Sequence, residues 1–418
     1  MCAKRRTGCW INPDRDTIQA RPAISDVRDQ YEAFPYPARD PAEEAKRLIT
    51  GSPSHPLEMD HCLWGGARDW SQPLRVLVAG GGTGDGLIQL AQMMASAKRP
   101  AEITYIDLST AARAVAEARA KMRGLRNITF HTGSLLDAGH YGPFDYIDCC
   151  GVLHHLPDPA AGFTALRAAL APHGGMGFMV YAPYGRSGVY PLQEAFGALF
   201  ADRPAHQRVA AAKSVLAALP AGHPFKCNPN LGDHTIGDAE FYDLLLHSQD
   251  RAFDVPALLD ILDETGWELA GFALAGLYDL ARLAPVPDGM TTASSMAVAE
   301  KLRGTIKTHV GYARASGQSA PMPDPDTRIP HLHGVPAAKL AEAIAQGRAP
   351  ALTVERERVQ ITLPPDTAPL IARINGRQSL ADIFKTAGLS PTQARSLWPR
   401  IEAQLLPWGV LLYSRFLV

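Results

Sequence analysis

Between Leu74 and Ala182, apolar runs of strand length alternate with helix-length amphipathic stretches, and this alternation limits the possible folds more than any other feature. RVLVAG (75–80), EITYIDLS (102–109), NITFHTG (127–133), FDYIDCCG (144–151) and MGFMVYA (176–182) read as strands. LIQLAQMMASA (87–97), TAARAVAEARAKMRG (110–124) and PAAGFTALRAALAPHGG (159–175) read as the helices between them. The rhythm resumes with VPALLDILDETG (255–266) as a helix, then WELAGFA (267–273) and TIKTHVGYARA (305–315) as strands. Near-continuous apolar strands joined by helices call for a sheet covered on both faces. The expected fold is therefore α/β, a doubly wound, mostly parallel, seven-stranded sheet.

Residues 1–73 are rich in proline and poor in apolar periodicity, with KRLIT able to hold a short helix at most. They read as an arm or lid lying on a domain of residues 74–315. Within that domain, residues 183–254 interrupt the alternation and read as an insertion outside the carboxyl end of the fifth strand, the edge where open parallel sheets bind ligands. Residues 316–330 are polar and proline-rich, as a linker is, and residues 331–418 read as a small α+β domain.

Hydrophobic residues make up 46% of the 418, so the chain can bury a sizeable core and is not disordered throughout. Lys+Arg 41 against Asp+Glu 42 leaves a net charge of -1, which argues against a nucleic-acid partner. No C-x-x-C occurs among the six cysteines, and neither a signal peptide nor a membrane span is readable. A cytoplasmic protein with free thiols is expected, with no membrane partner.

VLVAGGGTGDG (76–86) sits where the first strand hands over to a helix. Leu87 stands where a Walker A loop needs lysine, and no glycine triplet has the i, i+2, i+5 spacing of a dinucleotide fingerprint. What fits is G-x-G-x-G at Gly80, Gly82 and Gly84, which lets bare backbone pass beneath a ligand lacking phosphates, while Asp85 disfavours an anion at the helix start. Asp107 ends the second strand, 23 residues beyond Gly84, where a carboxylate can accept bonds from ribose hydroxyls. In order, VLVAGGGTGDG, YIDLS, HTGSLLD, FDYIDCCGVLHHLPD and LAPHGGMGFMVY resemble the motif series of class I S-adenosylmethionine-dependent methyltransferases with a Rossmann-like sheet. The resemblance implies S-adenosyl-L-methionine as cofactor, with Gly80, Gly81, Gly82 and Gly84 under its methionyl part and Asp107 on its ribose. Leu108, Ser134 and Leu135 would flank the adenine, and Gly151 would border the same pocket. Two departures stand out: the resembling family commonly carries acidic residues at the positions of Ala79 and Ser134.

Methyl transfer needs an aligned acceptor and, for a protonated one, a base. His154 and His155 follow the fourth strand and are the catalytic candidates, against a role in bracing the loop. Tyr31, Phe34 and Tyr36 form an aromatic cluster stiffened by prolines, able either to cover the cofactor or to pack outside the sheet. Tyr31, Tyr36, Tyr184, Arg186 and His234 are the substrate-side candidates, although a loop arginine such as Arg186 is more often a solvated one. Asp233, His234, Asp238 and His247 fit no specific ligand spacing, so no metal is expected. Residues 363–384 resemble PqqD-like peptide-binding modules over about twenty residues, which would imply a peptide or protein acceptor, against the favoured reading of a small winged-helix-like domain that stabilises a dimer. The expected activity is methyl transfer to a small molecule or a peptide or protein. A rival reading is a cofactor-binding scaffold or regulatory partner without catalysis, and a homodimer is left open.

Overall fold

A computed structural model describes residues 24–354 and 356–418. Two helices, α1 (Ile24–Ala33) and α2 (Pro56–Trp64), precede a seven-stranded sheet. Its strands are β1 (Leu74–Ala79), β2 (Ala101–Asp107), β3 (Ile128–Thr132), β4 (Phe144–Cys150), β5 (Leu170–Tyr181), β6 (Trp267–Phe272) and β7 (Thr308–Ala315). Their spatial order is β3-β2-β1-β4-β5-β7-β6. Only β7 runs antiparallel to its neighbours. Chain order reverses between β1 and β4, so a crevice opens at the carboxyl ends of those two strands. This is the mostly parallel, Rossmann-like sheet that the alternation predicts.

Helices α3 (Asp85–Ser96), α4 (Thr110–Met122) and α5 (Pro159–Ala168) link the first five strands. The face of α3 read from helical spacing is the one it buries, with Leu87, Leu90, Ala91 and Met94 inside. Helix α5 starts after Asp158, whose carboxylate accepts from the backbone N–H groups of Ala160 and Ala161, with Pro159 at the first helical position. It ends at Ala168, not at residue 175. Pairing begins at Phe144↔Leu170 and resumes at Tyr146↔Gly175, so residues 171–174 bulge out of the ladder, with His173 at φ 62. The alanine- and leucine-rich LRAALA carries helical propensity into what is structurally strand, and tertiary pairing overrides it.

Between β5 and β6 lie α6 (Val189–Phe200), α7 (Ala205–Ala218), α8 (Pro224–Cys227), α9 (Asp238–Leu245) and α10 (Val255–Glu264). Helices α6 to α9 share their own apolar cluster, built around Leu192, Phe196, Phe225, Phe241 and Leu245. Helix α11 (Thr292–Arg303) precedes β7. Beyond it come β8 (Pro330–Leu332), α12 (Ala337–Ala345), the hairpin β9 (Ala351–Val354) and β10 (Glu357–Gln360), α13 (Ala368–Ile371), α14 (Leu380–Thr386), α15 (Pro391–Leu405) and β11 (Leu411–Tyr413), which pairs with β8. Leu340, Ile371, Ile401 and Leu411 belong to the same buried cluster as Phe178 and Leu258, so this region packs continuously onto the sheet domain.

The N-terminal stretch is more built-in than its composition suggests. Residues 46–50 are not helical; the helices lie on either side. Helix α2 buries Met59, Leu63 and Trp64 in the core, and its Asp60 accepts from Trp70 Nε1 (2.8 Å), Ser414 Oγ (2.7 Å) and Arg415 N (3.0 Å). That carboxylate ties the beginning of the described chain to its end. The residues 1–23 of the expected arm lie outside the described residues. Among the described residues no helix is long and apolar enough to cross a membrane.

Candidate functional site

The loop after β1 is shaped by what crowds it. Gly80 and Gly82 hold φ 66 and 51, and a Cβ at Gly82 would stand 2.7 Å from the carbonyl oxygen of Tyr36. At Gly81 a Cβ would strike the Tyr105 ring at 2.4 Å. Gly84 caps α3 at φ 97 without any side-chain cap bond. Such conformations favour glycine. The Asp107 carboxylate fixes the loop from the next strand, accepting from Gly82 N and Ser109 N at 2.8 Å each. Tyr105 donates to Gly82 O at 2.6 Å. Burial pushes the Asp107 carboxyl above its ordinary range, against the pull of those backbone bonds.

In front of this loop lies a cavity of about 380 Å³. Gly80, Gly81, Gly82, Asp107, Leu108, Ser134, Leu135 and Gly151 line it, as do His155, Tyr31, Tyr36 and Arg186. Four other candidates do not. Gly84 supports the loop from behind, against Ala116. His154 is fully buried with neither ring nitrogen bonded, packed 3.9 Å from the Tyr181 ring, and burial holds its pKa far below the usual imidazole value. Tyr184 stands away from the cavity beside Lys301. His234 packs edge-on against Phe225. Ser134 accepts from Leu136 N at 3.1 Å and so caps the turn that follows.

Residues 31–39 close the cavity from above. Thr83 N and Oγ1 donate to the carbonyls of Tyr36 (3.3 Å) and Pro37 (2.7 Å). Arg39 Nη2 reaches Asp85 at 2.6 Å, and Arg119, itself buried, bonds both Asp85 (2.7 Å) and Glu44 (2.6 Å). Arg123 adds a second contact to Glu44. Asp85 thus opens α3 as half of an arginine clamp on the covering segment. Phe34 stacks on Tyr242 at 5.3 Å and Tyr31 reaches into the cavity, so the aromatic cluster faces the insertion and the site.

At the far wall a proton network gathers that the sequence reading only touched through His155, His247 and Tyr31. Tyr31 and Tyr181 donate to the two oxygens of Asp243 at 3.2 and 2.9 Å. His247 Nδ1 accepts from Gln249 N at 3.0 Å, so its proton sits on Nε2, 3.3 Å from the Tyr31 hydroxyl. His155 Nδ1 donates to Gln249 O at 3.0 Å, leaving its Nε2 with a lone pair. The rings of His155 and His247 stack at 3.8 Å. One nitrogen of each and an Asp243 oxygen lie within 4.8 Å of one another, a separation that would suit a cation. The bonds to Gln249 and Tyr31 already occupy both positions of His247, so the cluster is wired for protons. Burial raises the Asp243 carboxyl and lowers His247. Arg186 is no solvated arginine. It is buried, lies 3.6 Å over the Tyr181 ring and pairs with Asp250 at 3.2 Å. Asp243 lies on α9 and His247 two residues beyond its end, and their spacing of four in the sequence was the available signal for this wall.

Asp148 was missed altogether. It lines the cavity from β4, buried, and accepts the Ser54 hydroxyl on Oδ2 while Oδ1 has no partner. Ala79 is buried at the edge of the same cavity and offers it no polar atom.

Residues 77–176 match a family profile described as a methyltransferase domain. A protein of Synechococcus, described as uncharacterized, is 32% identical over 249 residues, 58% of this chain and 58% of its own. The ubiquinone biosynthesis O-methyltransferase of Psychrobacter arcticus is 35% identical over 96 residues, 22% of this chain and 36% of that enzyme. The chain thus spans less than two thirds of these curated relatives. Among solved structures, PKMT2 from Rickettsia typhi superposes with a TM-score of 0.60 at 14% identity, covering 88% of this chain and 77% of that one. Its complex with AdoHcy gives 0.58 at 13%, covering 87% and 76%. At such identities the likeness is one of fold, and it extends well beyond the matched domain.

Proposed function

We propose that this chain, with its class I methyltransferase domain, transfers a methyl group from S-adenosylmethionine to an acceptor held in the cavity against the Asp243 wall. The observation that carries the reading is Asp107 beside the Gly80–Gly82 backbone: a carboxylate at the end of β2, already bonded to Gly82 N, on the cavity surface. The residues fit the cofactor. A Cβ would fill the cradle at Gly82, Asp107 keeps lone pairs beyond its two backbone bonds, and Leu108 and Leu135 offer apolar walls for a purine. The AdoHcy complex of the structurally similar PKMT2 supports the same assignment.

When bound, the cofactor supplies an electrophilic methyl group on sulfur. The chain supplies the rest. His155, with Nδ1 tied to Gln249 O, presents Nε2 to take a proton from the acceptor, and Asp243 stabilises the imidazolium that results. Tyr31 and Tyr181 hold Asp243 in place, His247 steadies the Tyr31 hydroxyl, and Arg186 braces the Tyr181 ring. Residues 31–39 cover the cavity and keep water from it. His154 has no path to any acceptor and is a packing residue. No observation favours an idle scaffold, and acceptors of both kinds, small molecule and peptide, are compatible with the cavity.

Calorimetry with S-adenosylhomocysteine followed by a labelled-methyl assay on cell extract tests the proposal. Binding together with label transfer to an extract component supports it; binding without transfer by the wild-type chain removes the catalytic half.

A further inference from the structure

The resembling family commonly carries an acidic residue at the position of Ala79. Ala79, at the buried edge of the cavity, supplies no carboxylate. The neighbouring strand carries one instead. Asp148 on β4 is the register partner of Val78 on β1. Its Oδ2 lies where a Cβ on Gly86, in the first turn of α3, would come within 2.5 Å. Cys150, two residues on and pointing the same way along the strand, is exposed to the cavity, so this face of β4 runs into the site.

Asp148 is unusual in its isolation. Only Ser54 donates to it among the described residues, no ion pair reaches it, and Oδ1 is buried with no partner. Ser54 is itself held for this task. Tyr146 and Tyr312 donate to the carbonyl of adjoining Pro53 at 2.8 and 3.0 Å, and Gln89 clamps Gly51 through both amide atoms at 2.6 and 2.9 Å. A buried carboxylate without a cation is costly, and a protein retains one where a cation arrives.

Resting on the methyltransferase reading, we propose that Asp148, oriented by Ser54, receives the α-ammonium group at the amino-acid end of the cofactor, restoring from β4 the carboxylate that β1 lacks. The glycine loop and α3 then hold the remainder of that end, while Asp107 holds the ribose.

The test uses the full chain, two ligands and two variants. S-adenosylhomocysteine carries the amino-acid end; methylthioadenosine carries the same nucleoside and sulfur without it. Asp148→Asn is expected to weaken S-adenosylhomocysteine at least about tenfold and methylthioadenosine less than about twofold. Ser54→Ala, which keeps the charge, is expected to weaken the first ligand to a smaller degree. Unchanged S-adenosylhomocysteine affinity in Asp148→Asn overturns the assignment, and equal loss of both ligands assigns Asp148 to structure alone and overturns it too. A wild-type chain that binds neither ligand overturns the methyltransferase reading beneath it, an outcome visible before any variant is made.

Discussion

Replacing Asp148 by asparagine has a consequence for stability that runs opposite to its consequence for binding. Burial raises the Asp148 carboxyl from an ordinary 3.8 to about 6, with the Ser54 bond working against the rise. The unfolded chain therefore releases this proton first as pH rises. The penalty is absent below 3.8, grows through the window up to 6 and is complete above it. At about 1.36 kcal/mol per pH unit, the interval is worth about 3 kcal/mol at alkaline pH, of which about 2 kcal/mol accrues between about pH 4 and pH 8. Asparagine keeps an acceptor for Ser54 and cannot ionise, so its own hydrogen-bonding cost is constant with pH. Urea unfolding of the ligand-free protein and of Asp148→Asn across that range measures the difference of differences. The variant should gain on the parent by about 2 kcal/mol from the acid to the alkaline end. Parallel stability curves would show that the carboxylate is not desolvated and remove the electrostatic basis for a waiting cation site.

Three further outcomes follow from the same geometry. His155→Gln should lower methyl transfer by roughly a hundredfold or more while leaving S-adenosylhomocysteine affinity within about twofold; an active variant would return His155 to loop bracing. Gly82→Ala puts a methyl group 2.7 Å from the Tyr36 carbonyl on a left-handed backbone, so limited proteolysis between residues 34 and 40 should quicken and ligand affinity fall about tenfold. Proteolysis at the parental rate would mean the covering segment is not seated on the loop. Arg119→Met strips one partner from both Glu44 and Asp85 and should cost about 3 kcal/mol in urea unfolding, and a change below about 1 kcal/mol would contradict a working clamp.

The sheet was legible because its information is local. Apolar runs bounded by glycine, and Leu87, Leu90, Ala91 and Met94 on one face of α3, need no knowledge of partners. The cofactor side was legible for a related reason: Gly80, Gly82 and Asp107 all lie at strand ends, and the topology alone brings such ends together. The opposite wall was not. Tyr31 and Asp243 are 212 residues apart, and Ser54 and Asp148 are 94 apart, so only the folded chain joins them. Asp148 in particular reads as one polar residue in an apolar strand, and nothing in FDYIDCCG shows that its carboxylate faces a cavity. The extent of helix α5 was misjudged because alanine and leucine favour helix until β4 claims Leu170 as a partner. Arg186 looked solvated because its Asp250 lies 64 residues away.

Titration of the full chain with S-adenosylhomocysteine, in parallel with Asp107→Ala, bears most directly on whether the cavity is a cofactor site. One molecule should bind per parental chain, with affinity at least about tenfold weaker in the variant. A parental chain that binds none, or a variant that binds as tightly as the parent, would contradict the assignment of this cavity to an adenosyl cofactor.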